Sequence, residues 1–327
     1  MNSLLEHYKL TPPITQFDLP NSGSNNTTVG IHTSDDDYVL KHFDVDHSIA
    51  SFEYEQSLLT WLAKQSLSFA VPAPMPTTEG KSFYHDSDGY HALIPMLKGQ
   101  RPENGNPIQA EAVGHALGEL QTTLTQYPTT PRPDIVTFAD LNQLHPHVPN
   151  PESLTPKDLS WPQTQHATEL CAWWRNEFEK RNIFLKETYP KLPKQVIHGD
   201  YSPGNTLYHK NKVSAIVDFE FTLPDIRIMD IASGLTFSMR IWENKEPWDL
   251  VTHFIRGYNQ WIKLSELEWA SIIDTIILRD TVSVIWWLGR DLANQKIPNT
   301  SRMEDFRNFK SWFENNRAKL ESLWITS

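Results

Sequence analysis

The stretch from His198 to Glu220, HGDYSPGNTLYHKNKVSAIVDFE, constrains the fold of this chain more than any other. A polar loop at its start is followed by two strand-like runs on either side of the turn 209–212, which predicts a β-hairpin. The hairpin would place Asn205 and Asp218 at neighbouring strand ends. This stretch therefore predicts a loop and a hairpin that bring several oxygen-bearing side chains together.

The spacing of the polar residues in this stretch suits phosphoryl transfer. His198-Gly199-Asp200 is followed by four residues and Asn205, and the hairpin then leads to Asp218-Phe219-Glu220. Phosphoryl transfer through a loose transition state needs a positioned acceptor hydroxyl and neutralised phosphate charge. We expect Asp200 to bind that hydroxyl and take its proton late. We expect Asn205 and Asp218 to bind Mg²⁺, which prefers carboxylate and amide oxygens.

These residues resemble the aminoglycoside phosphotransferase/choline kinase superfamily, the small-molecule branch of the kinase-like fold. Its motif is H-G-D, four residues, Asn and then D-[FWL]-[ED], so Glu220 stands where protein kinases carry Gly. Within that branch the chain is most similar to bacterial type II homoserine kinase-like proteins.

The resemblance implies an α+β, bilobal protein-kinase-like fold. Residues 1–97 would form a nucleotide-binding N-lobe that has a small antiparallel sheet and one main helix and ends in a hinge. Residues 98–327 would form a larger, mostly helical C-lobe with the catalytic loop and the acceptor pocket.

The strand-like run 38–43 carries one lysine, Lys41, in a position analogous to the lysine of V-A-I-K. The resemblance implies that Lys41 contacts the α- and β-phosphates of a nucleotide. A carboxylate on the helix predicted over 48–65 should orient it. Glu53 and Glu55 both qualify, and Glu55 is preferred because its offset from the following Leu-x-Trp-Leu is more similar to the family pattern.

Two further stretches resemble nucleotide-binding parts of the family. The first hairpin would lie over the phosphates, and Ser24 and Asn25 near its tip would offer N–H groups and hydroxyls to phosphate oxygens. The run 90–97 would form the hinge whose backbone meets the adenine, with Met96 as the candidate contact. Pro95 removes one N–H donor there. The implied nucleotide is ATP, with GTP left open.

A long helix predicted over 265–295 corresponds to the helix on which the family builds its acceptor pocket. Asp280 and Trp287 are the candidate acceptor contacts, although an amphipathic helix also explains both residues. The predicted acceptor is a hydroxyl of a small molecule, with a homoserine-like amino alcohol as the first choice. Aminoglycosides, choline and sugars remain alternatives, because a shared fold does not fix the substrate.

Only a short segment separates Asp218 from Asp230, and it leaves no room for a protein-kinase activation segment. The chain is therefore predicted to phosphorylate small molecules rather than peptides. A nucleotide-binding regulator without turnover is the alternative of another class, but the chain keeps the lysine and metal ligands that degenerate members lack. Asp230 resembles the aspartate of the family's Y-D-[LI]-A motif and is predicted to brace the His198 loop.

Composition excludes several other classes of protein. A net charge of −11 argues against a nucleic-acid partner. No apolar run approaches the length of a membrane span, and the N-terminus has no signal-peptide pattern, so no membrane partner is predicted. The single cysteine, Cys171, excludes an intramolecular disulfide. It is predicted to be a buried thiol, which suits a cytoplasmic protein.

The rest of the chain is predicted to be largely helical. Gly114 and Gly118 should allow close approach of another helix. The Pro- and Asn-rich passage 128–163 contains His145 and His147, which we interpret as loop residues because no further ligand set accompanies them. Further helices are predicted over residues 109–127, 168–189, 248–262 and 303–324, and another beginning at Leu223.

Overall fold

The structure is a computed structural model that describes residues 2–19, 27–44, 48–103, 105–238 and 247–326. The chain separates into two compact units. Unit 1 comprises Met1–Pro102, Pro131–Ile135 and Gly204–Phe221, and unit 2 comprises Glu103–Thr130, Val136–Pro203 and Thr222–Ser327. This division cuts the chain at more points than the single predicted boundary after residue 97, because two later segments pack with the N-terminal residues.

Unit 1 is built on a five-stranded antiparallel sheet in the order β1-β2-β3-β5-β4. Side chains alternate between its two faces. Leu40 of β3 packs on one face, in a cluster with Leu93 and the short helix α1. Phe43 packs on the other face against Phe52. The elements are α1 (Asn2–Leu5), β1 (Thr15–Phe17), β2 (Thr27–His32), β3 (Asp37–Asp44), β4 (Tyr84–His85) and β5 (Gly89–Pro95).

One helix, α2 (Ile49–Leu62), covers the second face of this sheet. The Ser48 side chain caps its N-terminus by accepting a hydrogen bond from the Ser51 N–H. Phe52 contacts Phe43 with ring centroids 4.4 Å apart. Residues three positions apart on a helix share a face, so Glu55 follows Phe52 onto the sheet side and is buried.

The hairpin of β7 (Thr206–His209) and β8 (Lys212–Ile216) belongs to unit 1. Lys210 and Asn211 both have positive φ, as a two-residue hairpin turn requires. The hairpin is joined to the N-terminal part of the chain, because Ala70 exchanges hydrogen bonds with β8 and Gln100 exchanges them with Tyr208. The structure thus confirms the hairpin that the sequence predicted and assigns it to unit 1.

Unit 2 is mostly helical, which together with the sheet of unit 1 confirms the predicted α+β class. A two-stranded pair, β6 (Lys194–Ile197) and β9 (Leu223–Ile226), flanks the His198 loop. Within the described ranges, no helix combines the length and the apolarity needed to cross a bilayer. The helices are α3 (Pro107–Leu124), α4 (Gln165–Glu187), α5 (Ile228–Ser233), α6 (Trp248–Tyr258), α7 (Glu266–Ala293), α8 (Ser301–Asn315) and α9 (Arg317–Thr326).

Two of the helix predictions are wrong in detail. Residues 223–226 form β9 because they pair with β6 of a distant segment, and the helix begins only at Ile228. The single helix predicted over 303–324 is two helices, because the backbone leaves helical geometry at Asn316. The predicted buried thiol is confirmed: Cys171 is free and fully buried in α4.

Helices α3 and α6 touch backbone to backbone. A Cβ atom added at Gly114 would lie 2.0 Å from the Phe254 carbonyl oxygen, and one at Gly257 would lie 2.0 Å from that of Glu111. A Cβ at Gly118 would lie 2.9 Å from the Tyr258 carbonyl oxygen. The prediction that glycines in α3 permit close helix approach is therefore confirmed.

Candidate functional site

Lys41 lies on the face of β3 that packs against α2. Its Nζ is 3.8 Å from Glu55 Oε1, and the side chains of Lys41 and Glu55 are 15% and 5% exposed. Glu53, the other carboxylate that the sequence allowed, is exposed. The structure therefore pairs Lys41 with Glu55.

Glu55 has a second cationic partner that the sequence did not indicate. Arg132 Nη2 lies 3.5 Å from Glu55 Oε2. Arg132 Nε donates to Ser51 Oγ at 3.0 Å, and Nη1 donates to the Phe219 carbonyl. Burial lowers the pKa of Arg132, and the Glu55 carboxylate opposes that fall. The Glu55 carboxylate therefore pairs with two cations, Lys41 and Arg132.

Asn205 and Asp218 lie at the paired ends of the hairpin. Thr206 is opposite Ile216 in the ladder, and the Val217 N–H donates to the Asn205 carbonyl at 2.8 Å. Asp218 has φ of 68°, a left-handed conformation that is uncommon for residues other than glycine. Strained backbone of this kind clusters at functional sites. An amide and a carboxylate on adjacent strand ends form a donor set that fits Mg²⁺.

Of the other candidate nucleotide contacts, the structure describes only Met96. Ser24 and Asn25 lie outside the described residues. The Met96 N–H donates to the Asp37 carbonyl at 2.9 Å. A contact between Met96 and adenine would therefore use its carbonyl or its side chain, not its N–H.

In unit 2 the loop at His198 is held by Asp230. The His198 N–H donates to Asp230 Oδ2 and the Gly199 N–H to Oδ1, both at 2.9 Å. Gly199 has φ of 82°, which favours glycine at this position. Burial raises the pKa of Asp230, and the hydrogen bonds from the loop oppose that rise. Asp230 therefore fixes the backbone immediately before Asp200.

The loop is also attached to helix α3. The Tyr201 hydroxyl donates to the Val113 carbonyl at 2.7 Å, and both groups are buried. Gln121 of the same helix donates to the Arg227 carbonyl and to Asp230 Oδ2. These contacts fix both flanks of Asp200 to the helical core.

Asp200 itself is paired with Arg279 of helix α7. Arg279 Nη2 donates to Asp200 Oδ1 at 2.8 Å, and the side chains of Asp200 and Arg279 are 32% and 13% exposed. The guanidinium carbon lies 5.7 Å from the centre of the Phe138 ring, a cation–π distance. Arg279 therefore orients the Asp200 carboxylate.

The two candidate acceptor contacts lie on α7 with Arg279. Asp280 is half-buried, and burial raises its pKa to about 7, with Arg279 opposing the rise and Asp305 adding to it. Trp287 is exposed, and its ring is flanked by the guanidinium groups of Arg290 and Arg302 at 5.1 and 4.9 Å. It lies about 12 Å along the helix from Arg279, at 1.5 Å per residue. An acceptor would have to share that ring with two arginines.

The passage 128–163 contributes to both units. Arg132 reaches Glu55 in unit 1, and Phe138 stacks on Arg279 in unit 2. His145 packs against Gly289 of α7. Among the described residues no group of three or more His, Cys, Asp or Glu side chains is arranged to hold a metal.

Sequence reasoning missed Arg132 altogether and assigned no role to Arg279. Arg132 stands between two prolines in a loop, where no periodic pattern signals burial. Arg279 follows the apolar run Ile276-Ile277-Leu278 of α7, and a cation next to buried apolar positions is the signal that could have drawn attention to it.

Comparison with known proteins gives three findings. The family model described as "Phosphotransferase enzyme family" matches residues 17–269. A homoserine kinase from Zymomonas mobilis subsp. mobilis is 24% identical over 308 residues, which are 92% of this chain and 89% of that protein. Two solved structures are similar in fold: an amicoumacin kinase in complex with AMP-PNP, Ca²⁺ and Ami, and a microcompartment-associated aminopropanol kinase.

Both structural similarities extend over nearly the whole chain. The amicoumacin kinase has a TM-score of 0.69 at 18% identity, covering 98% of this chain and 92% of its own. The aminopropanol kinase has a TM-score of 0.69 at 15% identity, covering 98% and 97%. The kinase-like fold predicted from the sequence is thereby confirmed.

Proposed function

Because this chain belongs to the phosphotransferase enzyme family, we propose that it transfers the γ-phosphate of ATP to a hydroxyl of a small amino-group-bearing metabolite in a Mg²⁺-dependent reaction. It is a kinase of small molecules. Homoserine is the first acceptor to test, since a relative aligned over most of the chain is a homoserine kinase. The divalent ion and ATP are supported by the amicoumacin kinase, whose structure contains AMP-PNP and Ca²⁺.

The observation that carries the proposal is the hairpin of unit 1. It presents Asn205 and Asp218 at adjacent strand ends and keeps Asp218 in a left-handed backbone conformation. Such strain persists only where the surrounding structure imposes it. A magnesium site explains why a carboxylate rather than a glycine occupies that position.

In the proposed reaction Lys41, which Glu55 orients, binds the nucleotide phosphates. Ser24 and Asn25 add polar groups near the phosphates, and Met96 contacts the adenine. Asn205 and Asp218 hold Mg²⁺, which when bound neutralises charge on the phosphates. These residues bind and orient the nucleotide and do not take part in proton transfer.

Asp200 acts on the acceptor. Its carboxylate accepts a hydrogen bond from the acceptor hydroxyl and aims that oxygen at the γ-phosphorus. As the new P–O bond forms, the bond between the γ-phosphorus and the bridging oxygen of ADP breaks, and the hydroxyl proton passes to Asp200. Asp280 and Trp287 are proposed to bind the remainder of the acceptor, Asp280 through an ammonium group.

A transfer assay with [γ-³²P]ATP tests this function directly. The acceptors are L-homoserine, 3-amino-1-propanol, choline, an aminoglycoside and a hexose, each with Mg²⁺ and with EDTA, and GTP replaces ATP in a parallel set. We expect labelled product from at least one amino-group-bearing alcohol, and none with EDTA. Asp200→Asn, which preserves shape but removes the proton acceptor, is the matched control.

Two outcomes would contradict the proposal. Stabilisation of the protein by Mg²⁺-ATP without transfer to any acceptor would favour a nucleotide-binding regulator. Transfer that persists with EDTA would exclude the magnesium site at Asn205 and Asp218.

A further inference from the structure

The ion pair between Asp200 and Arg279 has a consequence for the acceptor, given the proposed function. Arg279 Nη2 lies 2.8 Å from the carboxylate that would bind the acceptor hydroxyl. An acceptor bound at Asp200 therefore has a guanidinium group beside it. The charge of Arg279 must favour some acceptors and disfavour others.

The Arg279 side chain is held in place before any acceptor arrives. It projects from the middle of α7, between Ile276 and Val282, which are both buried. Its guanidinium stacks near Phe138, whose backbone N–H is fixed by Asp225 at 3.2 Å. A guanidinium has five N–H donors in a planar fork that matches carboxylate geometry. One such group can bridge Asp200 and a second carboxylate.

The charge of Arg279 favours an anionic group on the acceptor. Unlike charges attract more strongly in a partly buried site than in bulk water. A polycationic aminoglycoside would meet repulsion from Arg279, and a carboxylate would meet attraction. In a short hydroxy amino acid the hydroxyl and the carboxylate are at most about 5 Å apart, from ordinary bond lengths. Both groups can therefore reach Asp200 and Arg279 together.

The residue after Arg279 supplies the opposite charge. Asp280 is half-buried, and among the described residues its carboxyl makes neither a hydrogen bond nor an ion pair. The charged groups that influence it are Arg279 and Asp305. Consecutive residues of a helix do not share a face, so the assignment of the acceptor carboxylate to Arg279 stands independently of Asp280.

We propose that Arg279 is a specificity-determining residue that binds the carboxylate of a hydroxy amino acid acceptor. The acceptor class is thereby narrowed from amino-group-bearing alcohols in general to zwitterionic hydroxy amino acids. Arg279 keeps its contact with Asp200 and donates to the acceptor carboxylate from the same planar guanidinium.

Three acceptors isolate the contribution of the carboxylate. L-homoserine carries it, L-homoserinamide replaces it with a neutral group of similar size, and 3-amino-1-propanol lacks it. We expect wild-type kcat/KM to be about 10- to 100-fold higher for homoserine than for either analogue, as for loss of a charged hydrogen bond. This comparison requires no variant, so it is independent of folding effects.

The variant Arg279→Gln should remove most of that preference. We expect kcat/KM to fall about 10- to 100-fold more for homoserine than for 3-amino-1-propanol, mainly through KM. Arg279→Lys retains the charge but not the planar fork and should keep part of the preference. Arg256→Gln removes an exposed arginine from α6, and we expect it to leave the preference unchanged.

The outcomes separate this inference from the proposed function. Equal losses for all three acceptors in Arg279→Gln would show that Arg279 acts only through Asp200 or on the phosphate, and would overturn the inference. Equal wild-type rates for homoserine and homoserinamide would overturn it as well. Failure to phosphorylate any acceptor would instead overturn the proposed function.

Discussion

Each unit contains a partly buried ion pair, and the two pairs are built in opposite ways. In unit 1 the carboxylate of Glu55 is 5% exposed and its partner Lys41 is 15% exposed. In unit 2 the guanidinium of Arg279 is 13% exposed and its partner Asp200 is 32% exposed. The more buried member is the anion in the first pair and the cation in the second, and it holds its more exposed partner in place.

The difference indicates which member of each pair meets a ligand. The more accessible group in unit 1 is a cation, which suits phosphates, and the more accessible group in unit 2 is a carboxylate, which suits a hydroxyl proton. Arg279 is nearly as accessible as Lys41, so it can support Asp200 and still contact an acceptor. At these two pairs, a change at Asp200 should therefore affect turnover, and a change at Glu55 should affect nucleotide binding and stability.

The largest expected effect comes from Asp200→Asn. We expect kcat to fall by about 10²- to 10⁴-fold, because a positioned acid–base group is lost. The Mg²⁺-ATP dissociation constant, measured by calorimetry, should change little because unit 1 is untouched. Turnover above about a tenth of wild type would contradict the role assigned to Asp200.

The next effect comes from the anion that supports unit 1. Glu55→Ala leaves Lys41 and Arg132 buried without their counter-charge, and we expect a loss of about 3–5 kcal/mol in the free energy of unfolding, measured by urea denaturation. Glu53→Ala, an exposed neighbour on the same helix, should change it by less than about 0.5 kcal/mol. Similar losses in the free energy of unfolding for Glu55→Ala and Glu53→Ala would contradict the role of Glu55 as the buried counter-charge.

A smaller effect is expected from Asp230, which accepts hydrogen bonds from the backbone N–H groups of the His198 loop in unit 2. Asp230→Asn replaces one acceptor oxygen with an NH₂ group that faces a backbone N–H donor of His198 or Gly199. We expect a loss of about 1.5–3 kcal/mol in stability and a lower kcat with an unchanged KM for ATP. An increased KM for ATP with normal kcat would place the role of Asp230 on the nucleotide side.

A further effect concerns the pH dependence of stability through Asp280. Its pKa is about 7 in the folded protein, raised by burial from 3.8. Between these pH values the folded protein retains a proton that the unfolded chain releases, so the free energy of unfolding falls as pH rises. Thermal midpoints from pH 4 to 8 should therefore decline less in Asp280→Asn than in wild type. Parallel curves for the two proteins would contradict this expectation.

The parts of the site that the sequence predicted are those encoded by local spacing. The His198 loop and the hairpin follow from neighbouring residues, and Glu55 was preferred for its offset from the following Leu-x-Trp-Leu. The glycines of α3 were also recognised locally. In each case the physical cause acts within a few residues.

The parts that the sequence could not predict depend on contacts between distant segments. Arg279 and Asp200 are 79 positions apart, and Arg132 reaches α2 from a loop without any periodic pattern. The strand β9 was mistaken for helix because its partner β6 lies in another segment. Pairing partners of this kind are set by the packed fold and leave no local signal.

Helices α3 and α6 pack so closely that adding one methyl group at their contact would push them apart. An alanine at Gly114 or Gly257 would clash with the facing helix, because its Cβ would overlap a carbonyl oxygen there. Val113, the residue before Gly114, accepts the hydrogen bond of Tyr201, so spreading the helices would pull on the segment next to Asp200. The two glycines thus help to hold the backbone next to Asp200, the proposed catalytic carboxylate, although neither has a side chain of its own.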